Sequence, residues 1–142
     1  MSNVELPKGL KELGCRVFSD SGIESIIIPD GIEVISESLF NCCRNLISVN
    51  LPNSVTTIEN YAFSQCRPLS SISMSDNVIT IGDWAFACCS SLASIELSNS
   101  IQIIGKGAFY DCESLRTFFI PLGLKTKFEV LLPAYKDKLV ER

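Results

Sequence analysis

The seven cysteines are the residues best equipped for chemistry in this 142-residue chain, and four of them, Cys43, Cys66, Cys89 and Cys112, recur at intervals of 23. A thiolate can serve as nucleophile, redox centre or metal ligand. A tetrahedral metal site needs converging ligands, and a column repeated at a fixed period does not converge. The chain also contains no histidine. The same lack leaves its serines and cysteines without the usual base for nucleophilic catalysis. The carboxylates Asp83, Glu96, Asp111 and Glu113 show no close paired arrangement. Gly105 and Gly107, in Ile104-Gly105-Lys106-Gly107, distantly resemble a phosphate loop but lack its spacing, and they read as turn glycines. No enzyme activity, metal or cofactor is therefore expected. The column cysteines read as buried thiols with weak S–H donors. Cys42 and Cys88 stand outside the column as the candidate exposed thiols. One to three thiols are expected to alkylate in the native protein.

What must position these residues is a repeat. Phe40, Phe63, Phe86 and Phe109 are each 23 apart, as are Leu46, Leu69, Leu92 and Leu115. Self-similarity at such a period signals a stacked array whose units cannot bury their apolar faces alone. The units run 24–46, 47–69, 70–92 and 93–115, after a partial unit over 1–23 that is one residue out of phase. That offset places one deletion between Val17 and Ile26. Residues 116–142 begin a further unit and then leave the pattern. Each unit opens with two apolar residues at a spacing of two, as in Val49-x-Leu51-Pro52, which predicts a short strand with one buried face. Turn residues follow, such as Asn53-Ser54, and then a second apolar pair such as Val55/Ile58. One helical turn is expected over Tyr61–Cys66. The tail from Lys125 to Arg142 reads as an amphipathic capping helix with Phe128, Leu131, Leu132, Tyr135 and Leu139 on one face. The whole chain is expected to form a single domain.

Strand alternation turns the remaining positions outward: Asn3 and Glu5, Ser25 and Ile27, Ser48 and Asn50, Ser71 and Ser73, Ser94 and Glu96, Thr117 and Phe119. This strip is the candidate binding surface. It is small and neutral for most of its length and poor in the aromatic and arginine anchors of binding hot spots. Net charge is −4, with no basic run, so nucleic acid is not an expected partner. No apolar stretch reaches the length of a membrane span. The opening residues MSNVELPKGLKELG do not read as a signal peptide. An odd cysteine count argues against a complete disulfide framework.

The units Val49-x-Leu51-Pro52, Val55-x-x-Ile58 and Ala62-Phe63-x-x-Cys66-x-x-Leu69 resemble the BspA-like leucine-rich repeat family. So do Ile81-Gly82 with Ala85-Phe86-x-x-Cys89-x-x-Leu92, and Ile104-Gly105 with Ala108-Phe109-x-x-Cys112-x-x-Leu115. The resemblance covers residues 4 to about 121. It implies an α/β, right-handed leucine-rich repeat solenoid of about six 23-residue units, with short parallel strands on the concave side and a C-terminal capping helix. It also implies a protein-binding module, with adhesion to host matrix proteins such as fibronectin and fibrinogen, on a cell surface or after secretion. An intracellular scaffold or assembly subunit is the alternative. Open strand edges would also permit self-association.

Overall fold

Residues two apart face the same side of a strand, and this places each unit on the stack. The computed structural model describes residues 3–142. In chain order its elements are β1 (Asn3–Glu5), β2 (Ser25–Ile27), β3 (Val34–Ile35), β4 (Ser48–Asn50), β5 (Thr57–Ile58), β6 (Ser71–Ser73), β7 (Thr80–Ile81), β8 (Ser94–Glu96), β9 (Ile103–Ile104), β10 (Thr117–Ile120), α1 (Lys125–Leu131), a 3₁₀ segment (Pro133–Lys138) and β11 (Leu139–Glu141). All strand pairs are parallel. Ser25, Ser48 and Ser71 lie side by side, so neighbouring strands are offset by one 23-residue period. Asn3 pairs with Ser25, the shorter offset of the first unit.

The result is a parallel-strand solenoid of about six turns. Three sheets run along it, in the orders β1-β2-β4-β6, β8-β10-β11 and β3-β5-β7-β9. Where six strands in one stack were expected, the ladder is interrupted between β6 and β8, and β11 adds a strand from the chain end. The last member of each unit's second apolar pair, with the residue just before it (Thr57–Ile58, Thr80–Ile81), forms the third sheet, which the sequence reading did not anticipate. Beneath the sheets the core is continuous, and it includes residues from Leu13 to Leu139. Phe18, Phe40, Phe63, Phe86 and Phe109 stack ring on ring, with centroids 5.2–5.6 Å apart and planes within 12°.

The expected helical turn is instead a row of tight turns. Ala62, Ser64 and Cys66 donate back to the carbonyls of Glu59, Tyr61 and Phe63, while Tyr61, Phe63 and Gln65 donate forward to Asp83, Ala85 and Ala87 of the next coil. Serving both directions demands left-handed backbone at fixed points. Arg16, Ser38, Tyr61, Trp84 and Gly107 form one such column, with φ of 56–65°, and Asp20, Cys42, Gln65, Cys88 and Asp111 a second, with φ of 57–64°. An α-helix admits neither. The out-of-phase first unit also resolves here. Ser21 donates to Phe18 as Cys43 does to Phe40, while Ile23 takes the buried place of Leu46. The missing residue therefore falls between Ser21 and Ile23.

The tail departs from the expected single helix. Phe128, Leu132 and Leu139 are buried as anticipated. However, α1 ends at Leu131, Pro133 begins the 3₁₀ segment, and β11 pairs with β10. Proline fits the first turn of a new helical segment but cannot continue an old one. The β11 strand then satisfies an edge of β10 that a helix would leave open.

Candidate functional site

The outward strip is built by the strands of the first two sheets. Ser25, Ser48 and Ser71 form one in-register row, and Ile27, Asn50 and Ser73 a second. Beyond the interruption, Thr117 pairs with Ser94 and Phe119 with Glu96. Ser25 Oγ donates to Asn3 Oδ1 across the first pair of strands. Ile27 is 66% exposed, while Ser71, Ser73, Ser94, Asn50 and Glu96 are also exposed. Ser25, Ser48, Thr117 and Phe119 are half-buried.

The strip's two apolar residues each border a depression. One of about 630 Å³ lies beside Ile27, with Glu5, Leu6, Lys8 and Pro29 in its wall. The other, of about 380 Å³, is lined by Met74, Asp76, Glu96, Asn99, Phe119 and Arg142. Arg142 is the residue that sequence reasoning missed. β11 carries it to the strip, where its guanidinium lies 3.7 Å from the centre of the Phe119 ring and 2.9 Å from Glu96 Oε2. A tail read as one helix gave no signal that its last residue returns to the sheet.

The thiol column forms as expected, with one correction. Cys43, Cys66, Cys89 and Cys112 donate their S–H groups to the carbonyls of Phe18, Phe40, Phe63 and Phe86 at 3.0–3.2 Å. The neighbouring Cys43 thiol and burial push Cys66 upward from its ordinary value, burial pushes Cys89 well above it, and burial takes Cys112 to about 12. Of the two candidate exposed thiols, Cys42 is half-buried but Cys88 is buried. Cys88 occupies a left-handed position whose N–H is tied to Tyr110, and its side chain turns toward Asp111 in the next coil. Cys15 is the exposed thiol. Among the described residues no cluster of three metal-ligating side chains occurs, and no helix is long and apolar enough to cross a membrane.

The family model of the BspA type leucine rich repeat region matches in six copies, over residues 1–66 and 33–129. The chain is similar to a leucine-rich repeat protein of T. pallidum, with a TM-score of 0.79, 29% identity, and coverage of 85% of this chain and 59% of that one. It is also similar to a leucine rich cell surface protein of Faecalibacterium prausnitzii, with a TM-score of 0.68, 25% identity, and coverage of 85% and 42%. A likeness of fold alone links it to the pneumococcal vaccine antigen PcpA, with a TM-score of 0.75, 20% identity, and coverage of 99% and 40%. The chain thus spans less than two thirds of the length of each of these proteins. No curated protein matches the sequence.

Proposed function

The chain belongs to the BspA-type leucine-rich repeat family, and from that membership we propose that it is an adhesion module binding a host matrix protein through the outward strip. Leucine-rich repeat proteins generally bind proteins, and their solenoid is generally a binding scaffold rather than a catalytic one. The observation that carries the reading is the strip itself. Ten side chains, Ser25, Ile27, Ser48, Asn50, Ser71, Ser73, Ser94, Glu96, Thr117 and Phe119, stand on strands held by a fully packed core. Such a surface is rigid before it meets a partner, which lowers the entropic cost of binding. Ile27 and the Phe119–Arg142 pair supply an apolar anchor near each end. The similarity to a bacterial cell surface protein supports display outside the cell. The continuous core supports one domain across coils and cap.

Saturable binding of the reduced protein to immobilised fibronectin or fibrinogen tests the reading. Ser71 and Ser94 are exposed, so the double variant Ser71→Arg, Ser94→Arg changes the strip without touching the core. Binding that the double variant loses supports adhesion through this face. Binding that survives it moves the contact elsewhere. No binding to either protein up to high micromolar concentration points to a scaffold or assembly subunit.

A further inference from the structure

The turn row follows one rule through four consecutive coils. In each, three alternate N–H groups donate to carbonyls of the coil that follows. Arg16, Phe18 and Asp20 reach Glu37, Leu39 and Asn41, and the pattern continues to Trp84, Phe86 and Cys88, which reach Lys106, Ala108 and Tyr110 at 2.9, 2.8 and 2.7 Å. The next members of the row are Gly107, Phe109 and Asp111. Among the described residues no backbone or side-chain group accepts from their N–H groups. The carbonyl of Ile104 is in the same position. Its counterpart, Ile81, accepts from Gly105 at 2.7 Å, and Ile104 has no donor among the described residues. Unpaired main-chain groups at the edge of a sheet are a template for a further strand.

The chain itself does not supply that strand. One period beyond Ile104 stands Lys127, whose ammonium turns aside to the carbonyl of Asn99 at 2.6 Å, and the backbone there coils into α1. Between α1, the 3₁₀ segment and the last coil lies a groove of about 400 Å³, lined among others by Ile104, Gly107, Phe109, Leu131, Pro133 and Tyr135. Ile104 is half-buried there, whereas its column mates Ile35, Ile58 and Ile81 are fully buried. The one charged side chain in the lining is Lys106.

We propose that this groove docks an extended peptide segment of a partner protein, carrying an aliphatic residue, then a small one, then an acidic one. The segment lies along Ile104–Phe109 as each coil lies on the one before it. Its N–H donates to the Ile104 carbonyl, and two of its carbonyls accept from Gly107 and Phe109. Its aliphatic side chain covers Ile104, and its carboxylate meets Lys106, the one charged side chain of the groove lining. Main-chain bonds supply the affinity and the side-chain positions the selectivity, as in other strand additions. This site is separate from the outward strip.

The test uses the full chain and a fluorescein-labelled peptide, Thr-Ile-Gly-Asp-Gly-Ala, which copies Thr80–Ala85 with glycine in place of Trp84. Fluorescence anisotropy is expected to show saturable binding in the micromolar range. N-methylating the first glycine of the peptide removes the bond to Ile104 and is expected to weaken binding roughly tenfold, as is reversing the acidic residue to lysine. Ala134→Arg changes an exposed residue of the groove wall and should weaken binding to a similar degree with an unchanged thermal melt, whereas Ser71→Arg should leave it intact. Absence of saturable binding, or equal binding by the N-methylated peptide or the Ala134→Arg protein, overturns the proposal. A concentration-dependent mass in light scattering that Ala134→Arg abolishes assigns the groove to a second copy of the chain and overturns it as well.

Discussion

Cys66 and Cys89 have no exposed surface, and each gives its S–H to a carbonyl of the preceding coil. Both are held in the neutral form above the pH at which an unfolded thiol ionises. The sign of the linkage follows. Above about pH 8.5 the unfolded chain sheds these protons while the folded chain keeps them, so the unfolded state binds fewer protons and stability falls as pH rises. A thiol held neutral in this way contributes a slope of up to about 1.4 kcal/mol per pH unit. Urea unfolding in reductant should therefore give a steady free energy from pH 6 to 8 and a decline from pH 9 that a Cys66→Ala, Cys89→Ala variant makes shallower, with the share of Cys112 remaining. An undiminished slope in that variant would assign the decline to other groups. The same burial limits native alkylation to Cys15, Cys42 and Cys112, with all seven thiols reacting after denaturation.

Gly82 and Gly105 answer to a different contact, the side chains of Asn60 and Asp83. The Asn60 side chain accepts from the Asp83 N–H at 2.8 Å, and Asp83 in turn accepts from Lys106 at 2.9 Å. A side chain folded back over the next coil in this way takes the space a Cβ would need. A methyl at Gly82 would stand 2.6 Å from Asn60 Oδ1 and 2.7 Å from its backbone nitrogen. Gly82→Ala is expected to cost about 1–3 kcal/mol, the range for overpacking. Gly14→Ala, whose new methyl meets only Val17 at 3.6 Å, should change stability by less than about 0.5 kcal/mol. Equal effects in chemical denaturation would mean that the ladder of Asn60 and Asp83 yields without strain.

At the scale of the element, the Phe stack shows what was legible in the chain and why. Like residues at one period lie over one another, so the columns, the strand register and the outward strip could be read directly from spacing. The turn row could not. Tyr61, Trp84 and Gln65 are not residues that favour left-handed backbone, and their conformation is imposed by hydrogen bonds to the next coil, which no local pattern announces. The two-residue strands of the third sheet escaped notice for a related reason, since two residues such as Thr57–Ile58 carry too little alternation to mark a strand. Arg142 was hidden by a periodicity that ran across Pro133 and made two segments and a strand look like one helix. Stacking also predicts a gradient of mutational cost. Phe63 is fully buried between two rings, and its replacement by alanine should cost about 3–5 kcal/mol. Phe18 is half-buried at the open end of the column and meets one ring, so Phe18→Ala should cost clearly less. Equal losses in urea denaturation would mean that the first coil packs as tightly as the middle ones.

The whole molecule depends on how its ends are closed, because a coil in the middle is stabilised from both sides and a terminal one from a single side. Phe118, from β10, meets the last ring of the column, Phe109, edge-on at 5.0 Å and Tyr135 at 5.1 Å, and the Tyr135 hydroxyl donates to the Phe109 carbonyl at 3.2 Å. Phe128 and Leu132 complete the cover. A chain ending at Pro121 would keep the Phe109–Phe118 contact but lose Phe128, Leu132 and Tyr135, and would bare both rings. Full burial of such a side chain is worth about 1.5–3 kcal/mol, so the cap contributes several kcal/mol against a total stability on the order of 5–15 kcal/mol. Truncation would also strip β11 from β10 and leave an unpaired edge at the new end. The shortened protein is expected to unfold at markedly lower urea, with a broadened transition in Trp84 fluorescence and far-ultraviolet dichroism, and to associate through the bared edge. An unshifted midpoint and a concentration-independent mass would show that the last coil holds without its cover, and that the tail serves only to bring Arg142 to the strip.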